Sequence, residues 1–284
     1  MPESLEDLFQ QYLFLYGSFM GCKNFYQWRE RTHIKCAYDW IPRKGMRNKI
    51  MEAVRVCSHQ LTRKAAGIGS KIIYATRYVE LSPAQRKVYK ATLADYELDG
   101  KETKWTLVVN SWLRQLAAGE HKDREIIKLL KGELKDEQLV IWFAFNAELY
   151  RLHDTLTKLG ISCRYITGDV SISKRGKLVD RFNAKKYQVI LMQLKCGKYG
   201  LDLSGADTAI YYSASYEAET RIQSVPRIVH PKKDRPCLII DIVTRNTIDE
   251  DIREALLTKD IDSKGILSSS IKSALEREQH GRKH

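Results

Sequence analysis

The stretch Leu139-Val-Ile-Trp-Phe-Ala-Phe145 decides the fold. Seven consecutive apolar residues have the length of a strand and fall far short of the roughly 20 that span a bilayer. A run without polar alternation fits a strand buried on both faces, as in a parallel sheet. The sequence downstream repeats the pattern. Apolar runs at 189–192, 208–212 and 238–243, with a weaker one at 164–166, alternate with helix-period stretches at 147–159, 171–182, 217–225 and 248–257. Strands alternating with helices at this spacing are βαβ units, so the sequence predicts an α/β fold with a parallel sheet flanked by helices.

Upstream the reading is mostly helical. Leu5, Leu8, Phe9, Tyr12, Leu13 and Leu15 recur at three- and four-residue intervals after the candidate cap Ser4, and Phe25 with Trp28 suggests a second short helix. The β-branched and aromatic run Ile72, Ile73, Tyr74, Tyr78 and Val79 predicts a short strand between Lys71 and Leu81. Ser82-Pro83 then opens the first of two helices, over 83–98 and 103–118. Gly67, Gly69 and Ser70 read as a loop. The expected organisation is a mostly helical region over 1–137, an α/β domain over 138–260, and a C-terminal helix with a fraying tail over 261–284.

The 284 residues carry 48 Lys and Arg against 35 Asp and Glu, a net charge of +13 that favours polyanionic partners. Arg43, Lys44, Arg47 and Lys49 crowd together, and Lys195 and Lys198 flank a glycine-rich turn, so both groups are candidate contacts for DNA phosphates. The six cysteines are scattered without a CxxC pair, which predicts reduced thiols and no zinc site. No basic leader with an apolar core begins the sequence, and an intracellular, cytoplasmic location is expected, with the nucleus also open.

Several motifs then follow in order: Val140-Ile-Trp-Phe-Ala-Phe145, Gly168-Asp-Val-Ser171 with Arg175 and Phe182, Gly197-Lys-Tyr-Gly-Leu-Asp-Leu203, Gly205-Ala-Asp207, and Gln223-Ser-Val-Pro-Arg227. Together they resemble the second ATPase lobe of the Swi/Snf-type branch of helicase superfamily two. Ser4-Leu-Glu-Asp-Leu-Phe9 is similar to the helix after motif three of the first lobe. Arg63-Lys64 and the stretch from Val79 to Tyr89 resemble the helical insertion before the second lobe.

The resemblance implies a RecA-like lobe that completes an ATP site. Gly197, Gly200, Asp202 and Arg227 would face the nucleotide. Arg227, with Gln223 one helical turn earlier, would stabilise charge developing on the γ-phosphate. Arg175, Lys195 and Lys198 would contact DNA. Three departures stand out: His230 occupies the place of the second motif-six arginine, Leu194 replaces a hydroxyl near the start of motif five, and Ser213 replaces an acid.

The sequence contains no Gly-x-x-x-x-Gly-Lys-Ser/Thr, the run Gly67-Ile-Gly-Ser-Lys71 being too short, and Asp249-Glu250 lies in a late helix rather than after a strand. The expected partners are therefore duplex DNA and a first-lobe ATPase polypeptide that carries the Walker motifs, on a separate chain or in a longer one. ATP and Mg2+ would be held mainly by that lobe. No membrane partner is expected. The competing expectation is a non-catalytic DNA-binding or regulatory module that docks on another ATPase, a reading which His230 favours.

Overall fold

Leu8, Phe9 and Tyr12 place one apolar face on α1 (Leu5–Tyr16), and that face organises the first of two units, Met1–Ile68 and Gly69–His284. The computed structural model describes residues 5–36, 39–58, 72–97, 104–213, 215–216, 218–229, 233 and 235–258. The loop expected at 67–70, the C-terminal helix and tail expected over 261–284, Arg63-Lys64 and His230 lie outside these residues.

In the first unit, the Asn24 side chain caps α2 (Phe25–Thr32), accepting from the N–H of Tyr26 at 2.8 Å and of Gln27 at 3.3 Å. Trp28 is fully buried against Phe9 and Phe19, and the Tyr12 hydroxyl donates to the Val54 carbonyl on α3 (Met46–Cys57). Between these helices β1 (His33–Cys36) and β2 (Asp39–Pro42) form an antiparallel hairpin. The hairpin interrupts a region that reads as helical, because strands of four residues carry too little alternation to display a period of two.

The second unit is built on a parallel sheet in the order β3-β8-β7-β4-β6-β5. Its strands are β3 (Ile72–Val79), β4 (Leu139–Phe143), β5 (Cys163–Ile166), β6 (Val189–Gln193), β7 (Thr208–Tyr211) and β8 (Cys237–Thr244). Period-two alternation divides the apolar run of β4 between two cores. Val140 and Trp142 face α8 (Ile172–Asn183) through Val179 and Phe182. Leu139, Ile141 and Phe143 face α6 (Glu120–Lys131) and α7 (Asn146–Lys158) through Ile126, Leu129, Leu149 and Leu152. All five β4 residues are buried, which contributes about 1.5–3 kcal/mol for each large side chain.

The helices α4 (Pro83–Glu97), α5 (Lys104–Ala117) and α10 (Ile248–Thr258) share a further core through Tyr89, Leu113, Ile248 and Ile252. Two elements placed in the 1–137 region by sequence belong to this second unit. β3 pairs along its whole length with β8, from Ile72↔Cys237 to Val79↔Thr244, and α6 lies just ahead of the boundary expected at 138. The compact units divide between Ile68 and Gly69.

Candidate functional site

Because the strands are parallel, the segments following β4, β5, β6 and β7 all emerge at one edge of the sheet. The chain leaves β4 toward β5 and leaves β6 toward β7, in opposite directions. Their carboxyl ends are thus a topological switch point, the place where open α/β sheets bind ligands.

The glycine-rich segment folds there as a 3-10 turn, Leu194–Tyr199, closed by Gly200 at φ +70°. An L side chain in that left-handed conformation costs about 1–2 kcal/mol, which accounts for glycine at 200. Leu194 and Cys196 are buried and hold the turn down, while Lys195 between them is exposed. Gly197 is needed for space: a Cβ there would meet the Ser224 Cβ and the Trp142 ring, both at 3.3 Å.

Arg227 closes this turn. Its Nε donates to the Gly197 carbonyl at 3.0 Å, and its own carbonyl accepts the Leu203 N–H at 2.9 Å. The segment bearing Arg227 is fixed to the sheet by two further contacts. Arg221 grips Asp241 through both carboxylate oxygens, at 2.6 and 2.9 Å, and lies 4.1 Å over the Tyr211 ring. The Ser224 and Tyr211 hydroxyls are 2.6 Å apart in the core. Neither Arg221 nor Asp241 stands out in the sequence; the one available signal is an acid inside the apolar run of β8.

The arrangement departs from several expectations. Gln223 does not continue one helix with Arg227: α9 (Ala218–Ser224) ends at Ser224 and a 3-10 turn, Val225–Arg227, follows. Pro226 lacks the N–H that an α-helix needs, and it forces the change. Arg175 is buried, with Nε on the Val170 carbonyl at 2.7 Å and Nη2 on those of Thr167 and Gly168 at 3.2 and 2.8 Å. It shapes the loop after β5 and does not present an exposed charge to DNA. Asp202 caps a local turn, accepting the Ser204 N–H at 3.0 Å, and no contact among the described residues joins it to Arg227. Arg43, Lys44, Arg47 and Lys49 are exposed in the first unit, where Arg43 also donates to the Glu30 carbonyl. The side chain of Lys198 lies outside the described atoms.

Behind the edge lies a buried polar layer that sequence reading missed. Ser213, standing where the resemblance expects an acid, accepts the Ala144 N–H at 2.8 Å and donates to Glu148 on α7 at 2.5 Å. Burial pushes the Glu148 carboxyl up to about 7, against the Ser213 hydrogen bond, which favours the charged form. A raised folded-state pKa means stability that is full below the unfolded value of 4.5 and is lost as pH rises through about 7. Burial holds His121 below its ordinary value, and its contribution has the opposite sign in the acid range. The variant isolates one from the other: Glu148→Gln should abolish the decline between pH 4.5 and 7 that the difference in unfolding free energy reveals, and parallel stability curves for the two proteins would contradict the assignment.

Deeper still, Lys122 is wholly buried, pairs with Asp249 at 2.6 Å, and donates to the Tyr212 and Ile242 carbonyls at 2.8 and 2.9 Å. Asp249 is thus a structural partner of a lysine. Among the described residues no group of three or more His, Cys, Asp or Glu could hold a metal ion. The edge therefore offers an arginine and close backbone approach, suited to a phosphate, and no donor set suited to magnesium among those residues.

A parallel sheet with a glycine-rich turn and an arginine at its carboxyl edge defines a RecA-like lobe, and known proteins agree. Residues 121–232 match the family model of the helicase conserved C-terminal domain. The ATP-dependent helicase fft1 of Schizosaccharomyces pombe is 28% identical over 139 residues, covering 49% of this chain and 15% of that protein. Protein CHROMATIN REMODELING 19 of Arabidopsis thaliana is 29% identical over 152 residues, covering 53% of this chain and 20% of that protein. The aligned stretch thus spans at most a fifth of these curated relatives.

The fold of the C-terminal part of the Fun30 ATPase domain matches with a TM-score of 0.64 at 15% identity, over 74% of this chain and 99% of that one. The Sulfolobus solfataricus SWI2/SNF2 ATPase core in complex with dsDNA matches with a TM-score of 0.58 at 16% identity, over 80% of this chain and 55% of that one. Residues 121–232 thus resemble the helicase conserved C-terminal domain, and the fold is that of the C-terminal part of the Fun30 ATPase domain. No described helix is long and apolar enough to cross a membrane.

Proposed function

We propose that this lobe completes the ATP site of a DNA-dependent translocase together with a first lobe bearing the Walker motifs, inside the cell. The observation that carries the reading is the hydrogen bond from Arg227 to Gly197, which joins the two motifs at the carboxyl edge. Arg227 offers a permanent charge with planar donors to the triphosphate, and Gln223, half-buried on α9, adds a polar group four residues earlier in the same segment. Gly197 and Gly200 keep side chains away from that approach. ATP bound there supplies the phosphoryl group, and Mg2+ belongs with the acids of the first lobe.

Duplex DNA is the proposed track, and the complex of the Sulfolobus core with dsDNA supports it by likeness of fold. Lys195, Lys198 and the cluster Arg43, Lys44, Arg47 and Lys49 are the proposed phosphate contacts, a role that the net charge of +13 suits. The competing reading, a non-catalytic module docking on another ATPase, draws on His230 in place of a second arginine. ATP hydrolysis by the chain with and without a first-lobe polypeptide separates the two. DNA-stimulated turnover only in the combination supports the translocase, and none in either supports the module.

A further inference from the structure

Four basic side chains surround a groove that the nucleotide edge does not use. The groove, about 410 Å³, runs between β5 and α8 and is lined by Arg164, Lys174, Lys177 and Arg181 around Tyr165 and Leu178, with Val170 at its upper end. All four cations are exposed, and none forms an ion pair among the described residues. Lys174, Lys177 and Arg181 recur at three- and four-residue intervals, which sets them on one face of α8.

We propose that this groove is a second nucleic-acid contact, gripping a phosphodiester backbone that continues from the carboxyl edge of the sheet. The inference rests on the duplex-DNA reading above and extends it to a surface away from Lys195 and Lys198. Three observations select the ligand. The row from Lys174 to Arg181 extends roughly 10 Å along the helix, farther than one phosphate can reach, so it suits a chain of phosphates. Val170 follows β5 at the edge where the proposed track lies, so the groove opens onto that path.

The third observation disfavours an added peptide strand. β5 ends the sheet among the described residues, which exposes its outer edge. The Ser162 carbonyl turns inward to the N–H groups of Gln188 and Val189, so by alternation the Cys163 carbonyl turns outward. Arg164 caps that outward carbonyl with its own Nη1 at 2.7 Å. The edge is blunted by its own side chain, and what remains for recognition is cationic.

The test is duplex-DNA binding by the full 284-residue chain, followed by fluorescence anisotropy across a salt series. Removing three phosphate contacts with Lys174→Ala, Lys177→Ala and Arg181→Ala should flatten the slope of log K against log salt by about 2 to 3, and weaken binding at low salt at least tenfold. The charge-matched control Lys128→Ala, Lys131→Ala and Lys135→Ala, exposed on α6 and the turn after it on the opposite sheet face, should change the slope far less. Equal slopes for the two triple variants overturn the groove while leaving DNA binding intact. Failure of the unaltered chain to bind duplex overturns the DNA reading and the groove together. A groove variant that binds duplex normally but loses a polyglutamate peptide assigns the surface to acidic peptides and overturns the proposal.

Discussion

Arg227→Ala is expected to lower DNA-stimulated ATP turnover by about 10³-fold or more when the chain is combined with a Walker-bearing first lobe. A guanidinium stays charged through the physiological range and presents a planar fork to phosphate oxygens. Arg227 is the arginine that lies on the glycine-rich turn, with Nε on the Gly197 carbonyl. That bond leaves the side chain aimed by the turn, so the loss should fall on kcat. Arg227→Lys should recover little, since an ammonium lacks the planar two-donor fork of the guanidinium. His230→Ala should leave most of the activity, because an imidazole lacks the permanent charge and planar fork of a guanidinium. Equal losses at both positions, or a larger loss at His230, would assign the role to the other residue.

The largest effect on stability is expected at Lys122. Its ammonium is wholly buried and satisfied by Asp249 and two carbonyls from β8 and the end of β7. Lys122→Met leaves the Asp249 carboxylate buried, with the Thr244 N–H as a remaining donor. Breaking one side of such a pair costs about 3–5 kcal/mol, which for a unit of this size lowers Tm by roughly 10 °C. Adding Asp249→Leu removes the stranded charge and should restore much of the loss, since an apolar pair of similar volume is often neutral. Calorimetry of the single and double variants checks both statements; a single variant that melts within a degree or two of the parent protein contradicts the buried pair's role.

The sheet was legible because β4, β6 and β7 are buried on both faces and write themselves as apolar runs, and β8 as a run broken only by Asp241. Gly197, Gly200 and Arg227 were legible as members of ordered motifs, and the structure gathers them at one turn. What escaped sequence reading are pairings between distant positions. Arg221 meets Asp241 across 20 residues and Ser213 meets Glu148 across 65, and no local pattern encodes either partner. Arg175 shows the converse. Its place in a motif implies a DNA contact by resemblance, whereas three carbonyls of a loop that precedes it in sequence draw the guanidinium inside. The β1–β2 hairpin and the membership of β3 and α6 in the second unit were hidden for a third reason, since short or polar-looking segments reveal their place only through what packs against them.

The most direct measurement is ATP hydrolysis by the purified 284-residue chain, titrated with a first-lobe polypeptide carrying the Walker motifs in the presence of duplex DNA. Background turnover is expected from the chain alone, because its sequence lacks the phosphate-binding lysine motif, and saturable, DNA-stimulated turnover as the first lobe is added; that pair of results is what the role assigned to this lobe requires. Robust hydrolysis by the chain alone, sensitive to Arg227→Ala, or no hydrolysis at any ratio of the two polypeptides, would contradict it.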